Sequence, residues 1–158
     1  MESYNFHKDY FDKNFCSDLV NNYSKFFTFD PRPGWNSWTI SDTEYKELLL
    51  TKIKGIYPEN LINSWINISV YEPGYFLKLH TDSRSEFTVV VNLNDDYKGG
   101  NFIIEKENIK LDIGDTVTFN GGALKHGVET VIEGTRYSLN YWFTYQPNKV
   151  KIEPENLL

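Results

Sequence analysis

The chain has 158 residues, a length typical of a single domain, and no internal repeat or low-complexity tract divides it. Apolar residues make up 40% of the sequence and aromatic residues 16%, which is enough for one well-filled core and excludes a disordered chain. The net charge of −6 excludes a global attraction to nucleic acid or to an anionic membrane surface.

The sequence shows no signal for export or for membrane insertion. No window approaches the ~18 uninterrupted apolar residues of a membrane span, and the first residues, MESYNFHKDYF, lack the features of a secretory signal. A single cysteine, Cys16, allows no internal disulfide and fits a reducing compartment. We therefore expect one cytoplasmic domain over residues 1–158, with no membrane partner.

The first helix is predicted over residues 12–25. Phe15, Leu19 and Tyr23 recur there at a spacing of four and form one apolar stripe, and Asp12 is suited to cap the N-terminus. The segment that follows, residues 26–38, contains two prolines, a glycine and five aromatic residues without any period. It is predicted to be an ordered loop.

A second helix is predicted to begin at Ser41. Ser41 and Glu44 have the spacing of a capping box, in which each side chain satisfies a free backbone N–H of the first turn. Gly55 and Pro58 are expected to end the helix. The apolar positions predicted for its buried face are Leu48, Leu49 and Ile53.

The rest of the chain is predicted to be mainly β. Short segments rich in Ile, Val, Phe, Tyr and Thr alternate with turn signals, which is typical of a β-sandwich or jelly roll. The N-terminal helices would then cover one outer sheet face. The eight predicted strands are SWINISVY, FLKLHTD, EFTVVVNL, NFIIEK, IKLD, DTVTF, GVETVI and RYSLNYWFTY.

A candidate metal site comes from the run KLHTDS and a distant histidine. On a strand, His80 and Asp82 would point to the same face, and His126 is the best candidate for a third ligand. Two histidines and one carboxylate form a facial triad with three open positions, which is diagnostic of non-haem Fe(II) oxygenases. An H-x-D pair alone is common, however, and a lone histidine is more often a surface or core residue.

The last predicted strand carries an arginine among aromatic residues. Alternation places Arg136, Ser138, Asn140 and Trp142 on one face of this strand. A buried guanidinium needs an anion, and its planar fork suits a carboxylate, with a hydroxyl from Ser138 beside it. The strand alone leaves two alternatives open: capture of a ligand carboxylate, or an ion pair with one of the 22 acidic residues.

Taken together, these motifs resemble the prolyl 4-hydroxylase-type 2-oxoglutarate/Fe(II) dioxygenases. The resemblance covers about residues 65–145 and rests on the segments VYEPGYFLKLHTD, VVVNLNDDYKGGNF and IGDTVTFNGGALKHGVETVIEGTRYSLNYWF. It implies a double-stranded β-helix, a cupin-like jelly roll, and a hydroxylase that consumes Fe(II), 2-oxoglutarate and O2 and releases succinate and CO2. The need for ascorbate and the oligomeric state stay open.

The resemblance also implies roles for individual residues. The iron ligands would be His80, Asp82 and His126, and the retained carboxylate favours hydroxylation over halogenation. Arg136 and Ser138 would bind the far carboxylate of 2-oxoglutarate, although collagen-type members carry lysine where Arg136 stands. Weaker candidates for contact with the cosubstrate are Tyr71, Asn92 and Thr88.

The expected substrate is a protein or peptide hydroxylated at proline. Trp35 and Trp38 would form an aromatic wall suited to a proline ring, with Arg84 beside the metal pair, unless the tryptophans simply pin their loop to the core. The alternatives are a hydroxylase of a free amino acid or small metabolite, and a non-catalytic jelly-roll module holding a structural metal. The acidic balance, with only three arginines, disfavours a nucleic-acid demethylase.

Overall fold

The computed structural model of the chain describes residues 3–145, so the domain predicted over residues 1–158 extends beyond this range at both ends. No helix within it is long and apolar enough to cross a membrane. The helices are α1 (Lys13–Asn22), a 3₁₀ turn (Tyr23–Lys25) and α2 (Thr43–Lys52). The strands are β1 (Asn5–His7), β2 (Phe27–Phe29), β3 (Asn36–Ile40), β4 (Leu61–Tyr71), β5 (Leu77–His80), β6 (Phe87–Asn92), β7 (Tyr97–Gly99), β8 (Phe102–Ile104), β9 (Glu107–Ile109), β10 (Thr116–Phe119), β11 (His126–Val128), β12 (Val131–Gly134) and β13 (Arg136–Tyr145).

The strands form two main antiparallel sheets. The larger has seven strands in the order β1-β10-β6-β13-β4-β3-β2, and the smaller has four in the order β5-β11-β8-β9. The strands β12 and β7 pair separately. Side chains from both main sheets line one cavity between them. The predicted jelly roll is confirmed.

The main apolar core lies between the large sheet and the two helices. Leu19 of α1 and Leu49 of α2 are buried against Ile68 of β4 and Leu139 of β13, and the hydroxyl of Tyr141 donates to the Leu49 carbonyl at 2.8 Å. Burial of one such aliphatic side chain stabilises the fold by roughly 1.5–3 kcal/mol. The helices thus cover one face of the large sheet, as predicted.

The N-terminus of α1 agrees with the sequence, whereas that of α2 does not. The Asp12 side chain accepts from the Phe15 N–H at 3.1 Å, as an N-cap does. For α2 the N-cap is Asp42, whose Oδ1 accepts from the Tyr45 N–H at 2.8 Å. The predicted capping box at Ser41 is wrong because the Ser41 hydroxyl donates to the Phe26 carbonyl instead.

The predicted buried face of α2 is also wrong at one position. Leu49 and Ile53 are fully buried, but Leu48 is exposed. The apolar residues that the sequence offers are adjacent, and a helix can turn only one of two adjacent side chains fully towards the sheet.

The loop predicted over residues 26–38 is a β-hairpin at the edge of the large sheet. Strands β2 and β3 pair with each other, and β3 also pairs with β4, with Ser37 opposite Ser69. The prolines lie in the connection between the two strands. Contact with β4 determines this structure, and β4 lies about thirty residues away in the sequence.

Two other strand predictions need correction, and two further strands are present that the sequence did not indicate. The segment IKLD is not a strand, since β9 ends at Ile109, and GVETVI divides between β11 and β12. Strands β1 and β7 were not predicted. These strands have three or four residues each, too few for a visible alternation.

The buried thiol of Cys16 provides a test of the packing of α1. Burial, reinforced by the nearby Asp12 carboxylate, raises the pKa of this thiol to about 12. Because the thiolate is the reactive form, the native protein is expected to give no colour with Ellman's reagent at pH 8 and one equivalent after unfolding in guanidinium. Rapid reaction of one equivalent without denaturant would contradict the packing described.

Candidate metal centre

The structure brings His80, Asp82 and His126 together between the two sheets. His80 ends β5 and His126 begins β11, and the antiparallel pairing of these strands sets the two histidines opposite each other. Asp82 lies beyond the end of β5, so its predicted place on the same strand is wrong, and the turn that follows the strand directs its carboxylate to both rings. The three potential ligand atoms lie within 4.8 Å of one another.

The spacing and orientation of these groups fit one divalent ion. Each histidine Nε2 lies 3.1 Å from an Asp82 oxygen, and ligand bonds of about 2.1 Å at right angles place neighbouring donors about 3 Å apart. The Nδ1 of His80 donates to the Lys78 carbonyl and that of His126 to the Leu124 carbonyl, which leaves both Nε2 atoms for a metal. This donor set is the one that non-haem Fe(II) takes.

Asp82 is ionised in this arrangement. Burial alone would raise the pKa of its carboxyl, but hydrogen bonds from His126, His80 and Trp142 outweigh burial and hold that pKa well below its ordinary value. The hydrogen bond between His80 and Asp82 in turn raises the pKa of His80. Gly121 packs so closely that a Cβ there would lie 2.8 Å from the Asp82 Oδ2. The triad therefore offers an ionised carboxylate, together with two imidazoles, to a metal ion.

Trp142 also holds the Asp82 carboxylate in place. Its Nε1 donates to the Asp82 Oδ2 at 3.0 Å, and its ring stacks on Trp65 with the centroids 4.4 Å apart. Trp65 in turn donates to the Thr39 hydroxyl and lies under the Arg32 guanidinium. The sequence placed Trp142 on the face of β13 that carries Arg136, but nothing in it indicated the bond to Asp82.

A cavity of about 530 Å³ extends from the triad to Arg136. The Arg136 side chain is 1% exposed, its Nε donates to the Asn92 Oδ1 at 3.2 Å, and its Nη2 is buried without a hydrogen-bond partner among residues 3–145. No carboxylate in that range pairs with it. Asn63 Oδ1 is the other buried side-chain atom without a partner there, but Asn63 does not line the cavity. Arg136 thus offers an unpaired cation to a ligand anion.

The other residues predicted to contact a cosubstrate surround Arg136. Tyr71, Thr88 and Ser138 line the cavity, and the Arg136 guanidinium lies over the Tyr71 ring at 5.5 Å. Burial raises the pKa of Tyr71, so its hydroxyl stays neutral. Asn92 does not line the cavity but holds Arg136 through the Nε bond, and therefore positions it.

The structure separates the three residues predicted to contact a substrate. Trp35 and Arg84 line the cavity, whereas Trp38 packs against Tyr23 on the helix-covered side of the large sheet. Once this segment is a strand, residues three apart point to opposite faces, so one tryptophan faces the cavity and the other the core. Trp38 is not brought to the site.

A network of uncharged polar side chains lies beside Trp35, and two of its members, Ser69 and Asn140, line the cavity. Asn140 donates to Asn67 at 2.9 Å, Asn67 donates to Ser37 at 2.9 Å, and Trp35 Nε1 donates to Ser69 at 3.1 Å. All but Trp35 are buried. The sequence showed Asn140 on the cavity face, but its partners could be found only from the pairing of β3, β4 and β13.

Comparison with known proteins identifies the family. Residues 66–144 match the family model of the 2OG-Fe(II) oxygenase superfamily. The chain belongs to this superfamily. As a member it is an oxygenase that uses Fe(II), 2-oxoglutarate and O2, and the predicted resemblance is confirmed. Human and rat prolyl 3-hydroxylase 2 are each 33% identical to it, over 39% of this chain and 10% of their own length. The match thus spans only a tenth of these curated relatives.

Solved structures share the fold of this oxygenase. A Pseudomonas putida prolyl-4-hydroxylase superimposes with a TM-score of 0.71 at 17% identity, over 92% of this chain and 94% of that one. HygX from Streptomyces hygroscopicus, solved with nickel and 2-oxoglutarate bound, gives 0.73 at 12% identity, over 92% and 84%. A Trichoplax adhaerens prolyl hydroxylase in complex with a hypoxia inducible factor peptide gives 0.69 at 14%, over 90% and 83%.

The bond from Trp142 to Asp82 is expected to strengthen metal binding. Trp142→Phe keeps an aromatic ring against Trp65 but removes the donor that orients the carboxylate. We predict that Co(II) affinity, measured by calorimetric titration of metal-free protein, falls about tenfold. Trp65→Phe is the matched control, since it removes an indole donor that bonds Thr39, and should change the affinity less than about twofold. Equal Co(II) affinities for Trp142→Phe and the parent would show that the bond has no such role.

Proposed function

We propose that this superfamily member hydroxylates peptidyl proline at the triad. The observation that carries the proposal is the buried guanidinium of Arg136, which faces the same cavity as His80, Asp82 and His126 without a protein carboxylate to pair with. A module with a purely structural metal has no need of an unpaired cation there. An oxygenase that binds a dicarboxylate beside its metal does.

We assign His80, Asp82 and His126 as the iron ligands. Their spacing supports one ion, and three ligands leave three positions of an octahedral ion open. When bound, Fe(II) supplies the activation of O2 that couples decarboxylation of 2-oxoglutarate to oxidation of a C–H bond. The backbone carbonyls that accept from both Nδ1 atoms keep the rings oriented for this role.

We assign the inner end of the cavity to 2-oxoglutarate. Arg136 binds the carboxylate remote from the metal, Ser138 adds a hydroxyl from the same face of β13, and Asn92 fixes the guanidinium plane. Phe102 and Val128 from the small sheet supply an apolar wall across the cavity. Exclusion of water by this wall strengthens the charge pair between Arg136 and the cosubstrate.

A peptide is the substrate class that the outer end of the cavity supports best. Trp35 and Trp142 line this part, and a flat indole face suits the ring of a proline held in an extended segment. The names of the matched relatives, prolyl 3-hydroxylase and prolyl-4-hydroxylase, support proline as the target while differing in the carbon attacked. The protein would work as one domain, and the single Cys16 supports a reducing, cytoplasmic setting for it.

The experiment that tests this function measures succinate release from 2-oxoglutarate with Fe(II) present. Proline-containing peptides should stimulate release and gain 16 Da, whereas free L-proline should do neither. His126→Ala is the control and should reduce release to background, as should replacement of Fe(II) by Mn(II), Co(II) or Ni(II). Stimulation by free L-proline alone would overturn the peptide substrate, and full activity of His126→Ala would overturn its assignment as a ligand.

Arg136 is expected to govern cosubstrate affinity without affecting the metal. Loss of one partner of a desolvated charge pair costs about 2–5 kcal/mol, so Arg136→Ala should raise the KM for 2-oxoglutarate at least about thirtyfold. Arg136→Lys should lose less, because it keeps the charge and gives up only the fork. Co(II) affinity in the absence of 2-oxoglutarate is the control and should not change. A parental KM in Arg136→Ala would place the anchor elsewhere.

A further inference from the structure

We propose that Arg84 binds a carboxylate of the substrate, so that the enzyme prefers a proline with an acidic residue within about two positions of it. This inference rests on the proposed function and names the class of peptide that the site takes. Three observations on Arg84 carry it: its place at the cavity mouth, its backbone conformation and its lack of an acidic partner.

Arg84 lies in a turn that is fixed to the metal centre at both ends. The turn begins at Asp82 and is closed by the Ser85 N–H, which donates to the Asp82 carbonyl at 3.4 Å. The Asp82 N–H donates to the Gly121 carbonyl at 2.8 Å, and the Gly122 N–H donates to the Ser85 carbonyl at 2.9 Å. Arg84 is therefore held two residues from Asp82, exposed, and lining the cavity.

Arg84 has a backbone conformation that is unfavourable for any residue with a side chain such as arginine. Its φ is +62°, in the left-handed region that favours glycine and, among other residues, asparagine. Strained backbone of this kind concentrates at functional sites, where a particular side chain is needed at a particular place. The turn itself would form at least as readily with glycine or asparagine, so arginine here points to a use for the guanidinium.

The charge of Arg84 is the one left uncompensated at the mouth of the cavity. It forms no ion pair among residues 3–145, whereas Arg32, which lies over Trp65, pairs with Asp30 at 2.9 Å. Inside the cavity, Fe(II), Arg136, Asp82 and the two carboxylates of 2-oxoglutarate sum to zero charge. The surface as a whole repels acidic peptides, given the net charge of −6, so a local cation would fix where a substrate carboxylate binds.

The expected spacing between the target proline and the acidic residue of the substrate follows from the short separation of Asp82 and Arg84. Two residues span at most about 7 Å, so the Arg84 backbone lies within that distance of Asp82. A peptide whose target proline reaches the metal therefore brings the side chains one or two positions away within reach of the guanidinium.

The test compares peptides that differ only by Glu or Gln at one position near a single proline. We expect the parent enzyme to show a kcat/KM at least about fivefold higher for one of the Glu peptides. Arg84→Asn, which suits the left-handed turn, should bring this ratio to about one by lowering the kcat/KM of the Glu peptide. Arg84→Glu should invert the preference towards a Lys peptide, and the parent's preference should shrink between 0.05 and 0.5 M salt.

Matched controls separate local recognition from general charge. Lys54 is an exposed cation beyond the end of α2, and Lys54→Asn and Lys54→Glu change the net charge by the same amounts and should leave the Glu-to-Gln ratio unaltered. A ratio of one in the parent enzyme, or a preference that survives in Arg84→Asn, would overturn the inference. Thermal unfolding of Arg84→Asn should occur no lower than in the parent, since the turn tolerates asparagine.

A failure of the proposed peptide hydroxylation can be distinguished from a failure of the inference about Arg84. In that case no peptide would stimulate succinate release, and the same Glu and Gln peptides would be titrated by calorimetry into the protein loaded with Mn(II) and 2-oxoglutarate. Tighter binding of a Glu peptide that is lost in Arg84→Asn would support the inference without turnover, and equal or absent binding of both peptides would overturn it.

Discussion

Strand β13 is buried on both faces, and its two-residue period is the constraint on which the site depends. Leu139 and Tyr141 point into the core beneath the helices, whereas Arg136 and Asn140 point into the cavity. A shift of one residue in the pairing with β4 and β6 would exchange these two sets and drive a guanidinium into an apolar core. The packing of the helices therefore fixes the register that delivers Arg136 to the triad.

The uncharged and the charged polar groups at the site differ in whether the protein satisfies them. The uncharged network of Asn67, Ser69 and Asn140 is joined by internal hydrogen bonds, which make it rigid. The Arg136 guanidinium, in contrast, has a buried Nη2 without a hydrogen-bond partner among residues 3–145, and the triad carries an ionised carboxylate. A buried guanidinium without an anion is unfavourable, and a bound dicarboxylate would relieve it.

The parts of the site that could be predicted depend on short-range patterns. Alternation along a strand placed Arg136 on the cavity face without knowledge of its neighbours, and the Asp12 cap follows from residues within one helical turn. The H-x-D pair was found for the same reason, although Asp82 reaches the metal site from a turn and not from the strand. No local pattern linked His126 to this pair, and it was proposed only as a distant third ligand. The pairing of β5 with β11 brings it opposite His80.

The parts that could not be predicted depend on partners far along the chain. The hairpin of β2 and β3 forms because β3 pairs with β4, and once it is a strand, Trp35 and Trp38 must face opposite sides. The bond from Trp142 to Asp82 joins the end of β13 to the turn after β5, sixty residues apart. The wall that faces a substrate is thus assembled from three separate segments. The same turn holds both Asp82 and Arg84. The positions of the metal ligand and of the unpaired guanidinium at the cavity mouth are therefore fixed relative to each other, and a bound substrate would contact both regions.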